Sequence, residues 1–320
     1  MGRVKQLFGR NNIFADARIR ENAIYMIMLG IFIVFAILLK DKGFLSSSNM
    51  MNILRQTAII SIMAVGFTFV LACGEFDLSV GSTIAMCAIL GSMMLQRYGI
   101  FIAIFIALSA GSFIGAINGA LIVKIKMPSF LATLATQGII FGLARWITNL
   151  QAIPVVNKKF TFLFGGGDVG PISTLFIWTI IIVIIGHIIM AHTPFGRKVV
   201  AVGGNKIAAT FSGINVGNVK WLIFISMGFI SALAGLLYSG RLAAAKYNLG
   251  EADVFTIVAA VVIGGNSIYG GKGTIIGAFI GSIILGIINN GLILLGMSVD
   301  QQIIFRGVII LIAVALSAKE

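Results

Sequence analysis

The chain has 320 residues and a mass of 34.0 kDa, with 59% hydrophobic and only 10% charged residues and a mean hydropathy of +1.07. An ordinary soluble domain carries about 25% charged residues, so a soluble globular enzyme is excluded. The formal charge of +13, from 23 Lys and Arg against 10 Asp and Glu, could suit a nucleic-acid binder. Here the bases flank apolar runs instead, which is the inside-positive pattern of a membrane protein. No nucleic-acid partner is expected.

Residues 1–22, MGRVKQLFGRNNIFADARIREN, are polar and basic, with no cleavable signal peptide evident. They are read as a cytoplasmic tail. Residues 23–320 are read as one transmembrane domain, with 191–220 as a loop outside the membrane, because a span needs about 20 apolar residues and ten of them leave no room for a separate soluble unit. Apolar runs fall at 23–39, 56–72, 78–95, 100–123, 128–148, 172–190, 221–240, 254–263, 274–295 and 303–318. The predicted fold is therefore an all-α integral membrane protein of about ten transmembrane helices, with both termini cytoplasmic. The orientation rests on the tail and the 191–220 loop, which hold nine basic residues between them.

Within the runs, Gly111-Ser-Phe-Ile-Gly115 and Asn118-Gly119 are echoed by Gly277-Ala-Phe-Ile-Gly281 and Asn290-Gly291. Small residues about four apart let helices approach closely in lipid. The echo also matches spans four and five with nine and ten. A displacement of five spans inverts the topology, so the echo points to an inverted repeat of two halves, as in transporters with a central site.

Two segments interrupt the runs. The first is Gly74-Glu75-Phe76-Asp77-Leu78-Ser79-Val80-Gly81-Ser82. Asp77 or Ser79 can cap a helix starting near Leu78, the carboxylate meeting the positive helix end; alternatively the break lines an aqueous cavity. The second is Gly264-Gly-Asn266-Ser-Ile-Tyr-Gly-Gly-Lys-Gly273 after a short run. It imitates a phosphate loop, but Asn266 stands where the first Gly belongs and Gly273 follows Lys272. Gly165-Gly-Gly-Asp-Val-Gly170 meets the spacing of a dinucleotide fingerprint, yet it lies in the longest outside loop before Pro171 and reads as a turn. No cofactor motif is found, and two histidines and two cysteines do not suggest a metal cluster.

In the 191–220 loop, Asn205 is a suitable N-cap and Gly213 a suitable C′ residue, so the spacing predicts a two-turn helix over 206–212. Ala208, Ala209 and Ser212 give it a slim face. Such a helix can enter a groove of a partner; otherwise it lies on anionic lipid.

These segments, taken with Gly196-Arg197, Ala201-Val-Gly203-Gly204-Asn205, Ala208-Ala209-x-x-Ser212-Gly213-Ile214, Val262-Ile-Gly-Gly265 and Gly270-Gly-x-Gly-Thr274, resemble the permease subunits of ABC importers for ribose and related monosaccharides, the xylose, arabinose and galactoside branch included. The match runs in order over nearly the whole chain. It departs at Glu75-Phe76, where relatives more often carry a small residue followed by Ile. The resemblance implies a bacterial inner-membrane protein without enzymatic activity, a second permease, a cytoplasmic ATPase with paired nucleotide domains that holds ATP and Mg, and an extracytoplasmic sugar-binding protein. Residues 203–214, with Gly203, Gly204, Asn205, Lys206, Ala208, Ala209, Ser212, Gly213 and Ile214 singled out, would dock on the ATPase. Glu75, Asp77, Ser79, Ser82, Asn118 and Asn266 would frame the pathway. The competing reading is an ion-coupled secondary transporter with Glu75 and Asp77 as carriers, because an intramembrane carboxylate is functional by default. A membrane enzyme is weaker, for want of a nucleophile, base or metal cluster.

Overall fold

A computed structural model describes residues 24–317, so the basic tail lies outside the described residues. Each apolar run becomes a helix: α1 (Ile24–Leu38), α2 (Ser47–Ala72), α3 (Val80–Tyr98), α4 (Ile100–Val123), α5 (Ser129–Thr148), α7 (Thr174–His187), α10 (Val216–Leu242), α11 (Val254–Ile263), α12 (Ile275–Leu294) and α13 (Val299–Ser317). Between them lie α6 (Lys158–Thr161), α8 (Pro194–Gly204) and α9 (Lys206–Phe211). Among the described residues six helices are long and apolar enough to cross a membrane: α2, α4, α5, α10 and α12, with α7 extended through a π turn to His192. Helix α11 has ten residues, about 15 Å, half of such a span.

The loops collect at two opposite ends. At one end Ala72, Gly203 and Gly271 touch, and Val123 at the end of α4 meets Gly217 at the start of α10. At the other, β1 (Ile153–Pro154) pairs antiparallel with β4 (Ala244–Ala245), Gln96 donates to the Pro154 carbonyl, and Arg55 pairs with Asp168. Asp168–Val169 (β2) and Ile172–Ser173 (β3) form a hairpin turning at Gly170 and Pro171, while Gly165 and Gly166 close a π turn over Phe162–Gly166, so only the end of the 165–170 stretch is a turn and it does not open a nucleotide fold.

The two halves exchange neighbours as a five-span displacement requires. Helix α4 packs on α3 and α10, and α12 packs on their counterparts α11 and α2; α5 lies beside α3, and α13 beside α11. Helix α4 ends at the Gly203 end, whereas α12 begins there, so the halves run in opposite senses. The echoed glycines themselves take different partners. Gly111 and Gly115 abut the carbonyls of Gly228 and Phe224 on α10, but Gly277 and Gly281 abut those of Gly264 and Ala260 in and just after α11. The repeat therefore lies in the order of helices, and the glycines serve whichever neighbour comes closest.

That close approach is what joins the helices, since apolar side chains gain nothing by leaving lipid for each other. Two amides reinforce it: buried Asn49 and Asn290 exchange hydrogen bonds of 2.9 Å between α2 and α12. A Cβ at Gly228 would sit 2.0 Å from the Gly111 carbonyl oxygen. Gly228→Val should therefore part α4 from α10 and lower stability by about 1–3 kcal/mol, the usual cost of overpacking. Gly30→Ala, where nothing lies within 4 Å, is the control that should leave the midpoint of thermal unfolding in detergent at or above wild type.

Candidate functional site

The three segments singled out in the sequence meet at one end of the bundle. The Gly271 N–H donates to the Ala72 carbonyl at 2.9 Å, joining the loop before α12 to the end of α2. Gly203, in the last turn of α8, lies against both: a Cβ there would stand 1.9 Å from the Ala72 oxygen and 2.8 Å from the Gly271 nitrogen. Gly270 lies against Gly74 and the Gly203 carbonyl, and its φ of +89° adds a left-handed backbone that a side chain would strain. Backbone rests directly on backbone here.

Segment 74–82 is held by side chains from three helices. The Phe76 and Leu78 N–H groups donate to the hydroxyls of Ser129 and Thr133 on α5, at 3.1 and 3.0 Å. Asp77 accepts from the Ser79 N–H at 2.9 Å and from its hydroxyl at 2.6 Å, and Asn118 on α4 donates to that hydroxyl at 2.8 Å. The Ser82 hydroxyl donates to the Ser79 carbonyl. Glu75 pairs with Lys220 on α10. Thus Glu75, Asp77, Ser79, Ser82 and Asn118 are all buried and point at one another or at packed neighbours. Helix α3 starts at Val80, two residues later than the sequence implied, and Ser79 makes no side-chain bond to it; the Asp77 turn instead orders the chain just ahead of the helix. Its first turn packs against Gly250, Glu251 and Val254, so α3 and α11 begin next to each other deep in the bundle.

Asn266 is 2% exposed, donating to the Val261 carbonyl at 2.7 Å and accepting from the Thr274 N–H at 2.5 Å. It staples the broken loop between α11 and α12 and presents no free group to a passing solute.

The predicted helix of the 191–220 loop is α9, one residue shorter than expected. Asn205 accepts from the Ala208 N–H at 3.0 Å, and Gly213 follows the end with φ of +79°. One feature is corrected: Ala209 is 4% exposed and packs within this chain's own core, so it cannot face a partner. The exposed face carries Ile207 at 70% and Phe211 at 88%, beside Lys206, Ala208 and Ser212. Ile214 is half-buried and closes the turn through its N–H to the Ala209 carbonyl. Helix α8 had no place in the sequence reading, although Thr193 caps it and Pro194 occupies its first position, a signal that was available. The Glu75–Lys220 and Arg55–Asp168 pairs join residues more than 100 apart in sequence and had no local signal.

The ion pair gives a test of what fixes segment 74–82. Glu75→Ala leaves the Lys220 ammonium, whose side chain is 15% exposed, without its counter-ion. A loss of about 3 kcal/mol is expected, as for other buried pairs broken on one side. Glu75→Gln combined with Lys220→Met should recover most of it in thermal unfolding of the detergent-solubilised protein. Equal stability of the single variant and wild type would mean that the pair does not hold the segment.

Comparison with known proteins agrees with this geometry. Residues 49–314 match the family described as the permease component of branched-chain amino acid transport systems. The chain is 40% identical over 295 residues to the ribose import permease protein RbsC of Bacillus subtilis, covering 91% of this chain and 92% of that protein. It is 36% identical to RbsC of Escherichia coli K12, over 88% of each chain. It is 33% identical to the galactose/methyl galactoside import permease protein MglC of the same organism, over 94% of each. No solved structure matches it significantly. With long apolar helices and a family match over most of its length, the chain belongs to this family of multi-pass inner-membrane transport permeases.

Proposed function

We propose that the chain is the membrane-spanning subunit of an ABC importer, moving a monosaccharide-like solute by alternating access that a partner ATPase drives. The observation that carries this reading is α9: a capped two-turn helix whose Phe211 and Ile207 project outward while its other side is seated, through Ala209 and α8, on the junction of both broken segments. An exposed aromatic beside an aliphatic residue on a rigid short helix is the composition of an anchor for a partner's pocket. ATP and Mg are expected on that partner, a cytoplasmic protein with paired nucleotide domains. The family description names branched-chain amino acids whereas the similar proteins are ribose and galactoside import permeases, and their coverage of nearly the whole chain favours a sugar. An extracytoplasmic binding protein would deliver it.

A second permease completes the assembly in this reading. Gly138 and Gly142, four apart on α5, have nothing within 4 Å, in contrast to the filled glycine contacts of α4 and α12. Ion coupling through Glu75 and Asp77 is less well supported, because one is paired with Lys220 and the other is bonded within its own turn. All ten apolar helices cross in this reading, with both chain ends and α9 in the cytoplasm. The domain comprises residues 23–320 with 191–220 as its coupling loop.

Two measurements test the reading. Cysteines placed at Lys206 and at Gly166 should label from opposite sides of the membrane, the first only from the cytoplasm; labelling from one side overturns the topology. Phe211→Ala should leave insertion and stability unchanged, since the ring is solvent-exposed, yet weaken ATPase recruitment. Loss of an anchor aromatic costs about 2 kcal/mol or more, roughly thirtyfold in affinity. Solute-stimulated ATP hydrolysis in the reconstituted complex should fall with it. Ala209→Glu is the contrasting variant, expected to impair folding rather than docking. Uptake driven by an ion gradient without ATP would replace this reading with the secondary transporter.

A further inference from the structure

Most polar groups of the residues first assigned to the pathway are engaged within the chain, the buried Asn118 Oδ1 being without a partner, so further polar contacts for a solute are sought elsewhere. One groove, about 770 Å³ between α2, α7 and α10, is walled mainly by isoleucine and phenylalanine and offers little to hydroxyl groups. A smaller pocket between α2, α11, α12 and α13 is different. Gln56, Thr256, Asn289, Gln302 and Arg306 converge on it, with Leu285 on its apolar wall. Buried polar atoms almost always have partners, yet the Gln56 Oε1 and Thr256 Oγ1 atoms, both buried, have none. Thr256 is 5% exposed and sits in the first turn of α11, the half-length helix. Arg306 forms no ion pair among the described residues.

Vacant acceptors facing a guanidinium and a carboxamide suit a neutral ligand that both donates and accepts at neighbouring atoms. Vicinal hydroxyls do this, and the flat donor forks of Arg and Asn match their spacing. A cation would be repelled by Arg306, and an apolar solute would leave the acceptors unpaired at a cost. The pocket lies on the Arg55 side of the bundle, the end opposite α9. We propose that it is a subsite for the transported polyol on the external half of the path, built where α2 of the first half meets α11, α12 and α13 of the second. The inference rests on the permease reading and adds a place and residues to it.

The test uses the permease with its ATPase and binding protein in proteoliposomes, with ribose and galactose as probes. Gln56→Leu and Thr256→Val remove one vacant acceptor each at nearly constant volume. Each should slow uptake of at least one sugar about tenfold, with assembly of the complex and the sugar affinity of the isolated binding protein unchanged. Because a variant could also act through packing, a cysteine at Asn289 supplies an independent readout: saturating sugar should slow its modification by a small thiol reagent applied from outside. Normal uptake by both acceptor variants, or no protection of the cysteine while transport proceeds, would overturn the subsite and reduce the pocket to a water-filled void, leaving the permease reading intact. Wild-type vesicles that import neither sugar would overturn both.

Discussion

Everything in this protein depends on how it handles interrupted helices in an apolar setting. A backbone N–H or C=O with no partner costs several kcal/mol there, so a break in a helix survives only where other protein groups take over the lost bonds. Here the breaks take them from each other. The carbonyl at the end of α2 accepts from the N–H of Gly271 in the loop before α12, and the segment ahead of α3 borrows hydroxyls from α5. Neither interruption would be stable alone, which is why two segments almost 200 residues apart in sequence occupy one place.

The same constraint explains the composition of the junction. Backbone can reach backbone only where no Cβ intervenes, and Gly203 and Gly270 stand at the closest approaches. The rest of the bundle follows a looser rule. Along α4 and α12 the glycines bring a neighbouring helix close, but which neighbour differs between the halves. Close packing tolerates such divergence because dispersion needs contact and not identity, so an inverted arrangement can persist while its sequence trace fades.

How much of this the sequence revealed follows from the range of the interactions involved. The apolar runs, the cap at Asn205 and the stop at Gly213 depend on residues within one or two turns, and all were readable. The direction in which Ala209 points was not, because it depends on how α9 is seated against α8 and the helices behind it. Asp77 shows the intermediate case. Its preference for a nearby N–H was evident, but whether that N–H belongs to the helix or to Ser79 ahead of it is decided by where α3 can begin, and that is set by Gly81 packing against Gly250. The Glu75–Lys220 pair and the polar pocket exist only after the halves assemble, and no local pattern announces them.

The junction also bears on how a movement at α9 would travel. A contact between flexible side chains absorbs small displacements by changing rotamers. The contacts of Gly203 with Ala72 and Gly271 have no side chain to absorb anything, so a shift of α8 large enough to matter must move the end of α2 and the loop before α12 together. Those two elements belong to opposite halves of the inverted arrangement. Under the docking reading, a push on Phe211 therefore acts on both halves at once and in opposite senses along the chain, which is the condition for one half to rock against the other. Farther along, α11 links that loop to Thr256 at its opposite end, and a ten-residue helix with eight residues buried is stiff enough to carry the shift to the polar pocket without an intervening hinge.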